Sequence, residues 1–381
     1  MKKTLAAVAV LGAFAGSALA ADVQLYGIVD TGVGYTHTDA DGLLDNGVDQ
    51  SKDSFSMKSG QASGSRWGIK GTEDLGNGVT VGFILEDGFD SDDGTEDSTG
   101  IMFNRESSLF VEGGFGKFAM GRIGSINNGQ SSWAKVGMIS AFGTSDWGGY
   151  SANVGNTMSL AGQWDNMIAY QTPDFAGFKV YAQYGMGDNG DEKESSSDRY
   201  YALGATYNNG PLAGYFAIDS INYESVENKD VDDSLTVTLG GSYDFEVVKV
   251  YLGGQYFDEV KASSLKGVTD DFADWNDKTD KVKGYALTLS ADAPVAGGKA
   301  MFGVGYFDAE QADSVKDNLG EKYDFSRFVV SVGYDYPFSK RTDIYAVASY
   351  MQDSIEDKTD AKEFDSDPSA YAVYVGLRHR F

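Results

Sequence analysis

From Asp22 to Thr36 the odd positions, Val23, Leu25, Gly27, Val29, Thr31, Val33 and Tyr35, stand against even ones that include Gln24, Tyr26, Asp30 and Thr36. That two-residue period marks a β-strand whose two faces meet unlike surroundings. After a polar stretch from about 38 to 60, alternation resumes between Ser65 and Gly71, with Trp67 and Ile69 on one face and Arg66 and Lys70 on the other. Asp74 to Gly78 has the composition of a tight turn. Val79, Val81, Phe83 and Leu85 then alternate with Thr80, Gly82, Ile84 and Glu86. The unit recurs to the end of the chain: Phe178, Val180, Ala182 and Tyr184 against Lys179, Tyr181 and Gln183; Leu235, Val237, Leu239 and Tyr243 against Thr236, Thr238 and Ser242. Val248, Val250, Leu252 and Tyr256 oppose Lys249, Tyr251 and Gln255, and Tyr285, Leu287 and Leu289 oppose Ala286, Thr288 and Ser290. In 105–112 and 342–351 the faces are not separable by composition.

The connections between these segments sort by length. Short ones carry turn residues, such as Gly113 to Gly116, Asn208 to Pro211 and Pro337 to Arg341; long ones are polar and acidic, such as Asp188 to Asp198, Asp258 to Lys281 and Asp353 to Pro368. They alternate along the chain and divide it into 16 strands with seven short turns and eight long loops. An even strand count with short turns at one end and long loops at the other predicts an all-β fold, a 16-stranded antiparallel transmembrane β-barrel with both termini on the periplasmic side. In the final strand Tyr371, Val373, Val375, Leu377 and Phe381 oppose Tyr374, Gly376, Arg378 and Arg380, and pairing it with the first strand would remove the last free edges.

One stretch fits neither period. Gly124 to Gln163 is too long for an ordinary connection, and Trp133, Met138, Phe142, Trp147 and Tyr150 argue for an ordered loop packed against something large, since disordered segments lack such residues.

Composition narrows the classes of function. Residues 1–20 carry Lys2 and Lys3, an apolar run from Leu5 to Phe14 and Ala18-Leu19-Ala20, the pattern of a cleaved export signal, leaving 21–381 as the barrel. The formal charge is -27, and removal of the two signal lysines takes it to -29, which argues against nucleic acid as a partner, since phosphate binding needs a basic surface. There is no cysteine and only His37 and His379 offer imidazole, too few for a His/Cys metal site or a histidine-centred triad. No cofactor is expected. A barrel-wall hydrolase would have to use His37 or His379, one at the loop end and one near the periplasmic end. Asp90-Ser91-Asp92-Asp93-Gly94 and Asp39-Ala40-Asp41-Gly42 are acidic but too short for an EF-hand. Gly185 to Gly190 matches a dinucleotide fingerprint by letter alone, with no apolar helix face after it.

The stretches LYGIVDTGVGY, SRWGIKGTEDLGNG, NRESSLFVEGGFGKFAMGR, DNMIAYQTPDFAGF, YDYPFSKRTDIY and VGLRHRF together resemble the general porins of Gram-negative bacteria, in particular the trimeric proteobacterial porins, over essentially the whole mature chain. The resemblance implies a homotrimer in the outer membrane, among lipids and lipopolysaccharide, with a water-filled pore for ions and small polar solutes in each subunit. It implies a third extracellular loop folded inward, at Gly124 to Gln163, and identifies Phe381 as the terminal signal for the outer-membrane assembly machinery. Arg66 and Arg105 match the family's wall arginines. Arg66 shares the inward face with Lys70, since a lone charge facing lipid would cost about 2 to 4 kcal/mol at the midplane. Glu86 lies across the turn from Arg66, and Asp30 and Asp146 are candidates for the acidic side of the pore. Arg122 either lines the pore or serves a subunit interface. Gln163 stands where relatives often carry arginine, and Ile28 where some carry lysine. Fewer wall cations and the net charge lead to an expectation of cation preference. A substrate-specific channel, or a barrel displaying loops as an adhesin or receptor, are the alternatives.

Overall fold

A computed structural model describes residues 22–39, 51–187, 198–224, 232–261, 281–314, 323–357 and 364–381. The expected export signal lies outside the described residues, as do positions 40–42 and 188–190 of the two motif-like stretches. In chain order the strands are β1 (Asp22–Asp39), β2 (Ser51–Ser59), β3 (Arg66–Gly76), β4 (Val79–Gly88), β5 (Glu106–Gly113), β6 (Gly116–Gly124), β7 (Gln163–Gln171), β8 (Phe178–Gly185) and β9 (Arg199–Asn209). They continue as β10 (Leu212–Asn222), β11 (Leu235–Asp244), β12 (Lys249–Lys261), β13 (Lys281–Val295), β14 (Gly298–Gln311), β15 (Tyr323–Pro337), β16 (Thr342–Asp357), β17 (Phe364–Ser366) and β18 (Ser369–Arg380).

All form one antiparallel sheet. β2 and β3 pair with successive parts of β1, Thr31 to Asp39 and Asp22 to Ile28, and so make one wall strand interrupted at residues 60–65. β17 and β18 both lie beside β16 and make another, interrupted at Asp367 and Pro368. The eighteen segments are therefore sixteen wall strands. β1 pairs with β18 from Ile28↔Arg380 to Asp39↔Ser369, which closes the barrel and leaves no edge. The tight connections are the expected ones: at Asn77-Gly78 both residues have positive φ, 55° and 74°, the geometry of a two-residue hairpin turn that matches strand twist.

Alternation decides which face meets which medium. Leu25, Val29 and Val33 are exposed on the outside, as are Leu239, Leu252, Leu287, Val332 and Val373, forming an apolar surface suited to lipid. Among the described residues no helix is long and apolar enough to cross a membrane. The two stretches left unassigned by sequence resolve clearly: Glu106, Ser108 and Phe110 face inward with Leu109 outside, and Tyr345, Val347 and Met351 face inward with Ile344 and Tyr350 outside.

The inner face is not uniformly polar because the chain between β6 and β7 crosses it. That segment contains one 3-10 turn (Val136–Ile139) and one helical turn (Val154–Thr157), whose Asn153 side chain accepts the Asn156 N–H. Its Ile126, Val136, Ile139, Phe142 and Met158 are buried. Hydrogen bonds fasten it to strands far apart in sequence: Gln183 of β8 accepts the Ile126 N–H at 2.7 Å, Gln255 of β12 accepts that of Ser159 at 2.7 Å, Ser290 of β13 that of Ala141 at 2.9 Å, and Ser331 of β15 that of Ala152 at 2.8 Å. Arg327, paired with Asp353, donates to Asn156 O at 3.0 Å. Where the loop presses closest the wall carries glycine: a Cβ on Gly253 would stand 2.7 Å from Ile139 Cδ1.

Candidate functional site

The loop is fastened to β8, β12, β13 and β15, and a charged cavity lies between it and the opposite wall. A cavity of about 550 Å³ is lined there by Tyr26, Arg66, Lys70, Ile84, Glu86, Arg105 and Glu106 of the wall and by Gly129 to Ser132 and Thr144 to Asp146 of the loop.

Strand register assembles the charged wall. Gly68 of β3 pairs with Glu86 of β4, and Glu86 pairs with Glu106 of β5, so Arg66 and Arg105 arrive on either side of one carboxylate. Arg105 Nε is 2.8 Å from Glu86 Oε1, Arg66 Nε is 3.5 Å from Oε2, and the Tyr26 hydroxyl donates to Oε2 at 3.0 Å. Lys70 extends the row, its Nζ 5.0 Å from the centre of the Tyr26 ring. One carboxylate shared by two guanidinium groups leaves the wall locally positive. Across the gap, Asp146 sits on the loop, while Asp90 and Asp97 of the connection between β4 and β5 line the same cavity. Groups of both signs thus line one cavity, and at an effective dielectric constant near 20 a charge about 4 Å away is felt at roughly 4 kcal/mol.

Arg105 and Glu106 tie this wall to the loop. Gln130 Oε1 accepts from Arg105 Nη1 at 2.7 Å and from Gln163 Nε2 at 2.9 Å. Glu106, 1% exposed, accepts the Ser132 N–H at 2.8 Å and the hydroxyls of Ser131 and Ser132, both at 3.0 Å. Sequence reasoning missed Glu106 because the faces of its strand could not be separated. The repeat Glu106, Ser108, Phe110 holds the signal, with the apolar Phe110 blurring it.

The remaining candidates sit elsewhere. Asp30 faces inward but is fully buried, and its carboxylate accepts the N–H groups of Ala62 and Ser63, so it is not presented to the cavity. Arg122 braces β6 against β7, with Nη1 2.6 Å from Asp165 Oδ1 and Nε donating to Asn104 O at 2.7 Å. Phe381 exchanges backbone hydrogen bonds with Gly27 at the seam, 3.1 and 3.2 Å, and its ring remains exposed. His37 bonds Asp53 at 2.8 Å and stacks on Tyr371, while His379 meets the Thr342 hydroxyl at 2.9 Å. Among the described residues no group of three or more His, Cys, Asp or Glu is placed to hold a metal ion.

In the loop before β5 the carboxyls differ. Burial, and then the neighbouring charges of Asp97, Asp92 and Asp93, push the Asp90 carboxyl up from its ordinary value. Hydrogen bonds from the Thr95 hydroxyl and backbone hold Asp93 down.

A family model described as Gram-negative porin matches residues 6–356. The chain is 34% identical to an outer membrane porin protein of Bordetella pertussis and 28% identical to outer membrane porin protein 32 of Delftia acidovorans, each over the full length of both chains. Its fold superimposes on the anion-selective porin from Comamonas acidovorans with a TM-score of 0.67 and 25% identity, covering 95% of this chain and 100% of that one. OmpT of Vibrio cholerae, as a loop-deletion mutant, shares the fold at 16% identity and a TM-score of 0.63. A closed sixteen-stranded wall, an apolar exterior and a charged interior cavity agree with that match, and the chain belongs to the Gram-negative porin family, outer-membrane channels for passive diffusion.

Proposed function

We propose that solutes pass between the loop of residues 125–162 and the wall formed by β1 to β5, and that the loop sets the size limit. The observation that carries this reading is the cavity in which Arg66, Lys70 and Arg105 face loop residues 144–146. Passage driven by the solute gradient requires no bond to be made or broken, and the channel has no catalytic step. We read the pore as weakly cation-preferring. Among the charged groups lining the cavity, Glu86, Asp90, Asp97, Glu106 and Asp146 outnumber Arg66, Lys70 and Arg105, and the sequence as a whole is strongly acidic. The anion-selective relative from Comamonas acidovorans supports the opposite reading. Reversal potentials across a KCl gradient in planar bilayers decide: a potential of potassium sign is expected, and one of chloride sign overturns the preference.

Export through removal of residues 1–20, assembly as a homotrimer, contact with lipopolysaccharide and recognition of Phe381 by the assembly machinery complete the proposal. They are supported by the export-signal pattern, the exposed apolar exterior and the family. Cross-linking in the native membrane, with and without Phe381, checks trimer assembly and its dependence on Phe381. A substrate-specific channel is the second reading, tested by competition of candidate solutes against ion current. A receptor or adhesin role is compatible with an open pore.

A further inference from the structure

The wall strand made of β2 and β3 is broken where residues 60–65 stand opposite only Val29 and Asp30 of β1. Gly60 turns the chain out of the ladder at φ 67°, a left-handed conformation that glycine adopts without a Cβ clash, while its N–H still reaches Asp30 O at 2.8 Å. The excursion is gripped from behind. The buried Asp30 carboxylate accepts from Ala62 N at 3.0 Å, from Ser63 N at 2.8 Å and from the Tyr345 hydroxyl. Arg378, fixed by Asp343 at 3.0 Å and Asp335 at 3.1 Å, donates to Ala62 O at 3.2 Å and Ser63 Oγ at 2.9 Å.

Its front meets the loop. The Trp147 N–H donates to Gln61 O at 2.7 Å and the Gly148 N–H to Gln61 Oε1 at 2.8 Å, while Gln61 Nε2 donates back to Ser59 O at 2.9 Å. Ala62 joins Phe142, Trp147, Tyr345, Val347 and Tyr374 in one buried cluster, with the Trp147 ring edge-on to Tyr345 at 5.3 Å. The turn so held is strained: Trp147 has φ 47°, a region that a residue with a Cβ keeps only where its surroundings enforce it. Asp146, immediately before that turn, lines the cavity together with Thr144 and Ser145.

We propose that residues 60–65 form a latch and that Gln61 is a positioning residue for the passage, fixing the loop turn that carries Asp146. The width of the passage and the place of one of its charges then depend on the second wall strand as well as on the loop. The inference rests on the reading that this cavity is the route of passage.

Liposome swelling with neutral sugars tests it free of any charge effect. Gln61→Met removes both side-chain hydrogen bonds at similar volume, whereas Gln61→Glu keeps an acceptor for the Gly148 N–H. With Gln61→Met the disaccharide-to-pentose rate ratio should rise about two- to tenfold, the change that losing one hydrogen bond makes in the balance between a seated and a displaced turn. Gln61→Glu should restore the ratio of the unchanged protein. A ratio unaltered in Gln61→Met, or raised equally in both variants, with the barrel intact by heat-modifiable electrophoretic mobility, overturns the latch. Should Gln61→Met fail to assemble, Tyr345→Phe, which removes only the hydroxyl on Asp30, must raise the ratio in the same direction or the latch falls. Failure of the unchanged protein to admit the pentose would instead refute the route itself.

Discussion

Glu86 is the residue on which the wall charges turn, because Arg66 and Arg105 share it. Glu86→Gln should leave two cations without their counter-charge, moving the KCl reversal potential toward the chloride side. The same change should lower stability by about 3 kcal/mol, the low end of the cost of breaking a buried pair, because Gln130 still accepts from Arg105. Gln163→Arg would add a cation one hydrogen-bond partner away from Arg105 and should also shift selectivity toward anions; no shift would place the governing field elsewhere. A third outcome concerns pH. Asp90 has a raised pKa, so as the pH falls it is neutralised ahead of Asp93, whose pKa is lowered. If the pore has the proposed cation preference, acidification should weaken it through Asp90 before Asp93, and Asp90→Asn should remove that earlier step from a titration of the reversal potential.

At the scale of elements, the loop and the wall behind it are fitted to each other. Gly253→Val should drive a side chain into Ile139, costing about 1 to 3 kcal/mol by overpacking and changing single-channel conductance through a displaced loop. That fit also explains what could be read from the sequence. Strands such as β11 and β13 were legible because threonine and serine face in and leucine faces out. The faces of 105–112 and 342–351 were not, since Phe110 lies inside under Lys117, with Nζ 3.9 Å from its ring centre, and Tyr345, Val347 and Met351 face inward with the loop packed over that part of the wall. Alternation placed Asp30 inside correctly but could not name its partner, because a period reports a face and not a contact. The polar stretch read from about 38 to 60 in fact holds β2 (Ser51–Ser59), whose composition hid it, and residues 61–64 fell between that stretch and the strand read from Ser65; nothing in Gly-Gln-Ala-Ser-Gly-Ser announces that Gln61 meets Trp147, 86 positions away in the chain.

For the whole molecule, closure and asymmetry of filling are the two facts that matter. The seam between β1 and β18 makes the wall continuous, and the loop is fastened along β8 to β16 while the charged cavity lies toward β1 to β5. The chain contains no cysteine, so a single introduced thiol reports its own surroundings. Lys70→Cys lies at that cavity and Thr288→Cys lies on the inner wall behind the loop, where Thr288 is 2% exposed. Adding a charged methanethiosulfonate reagent during single-channel recording should step down the current of Lys70→Cys and leave that of Thr288→Cys unchanged. An unaffected Lys70→Cys channel, or equal block of both, would contradict a passage confined between the loop and the β1 to β5 wall.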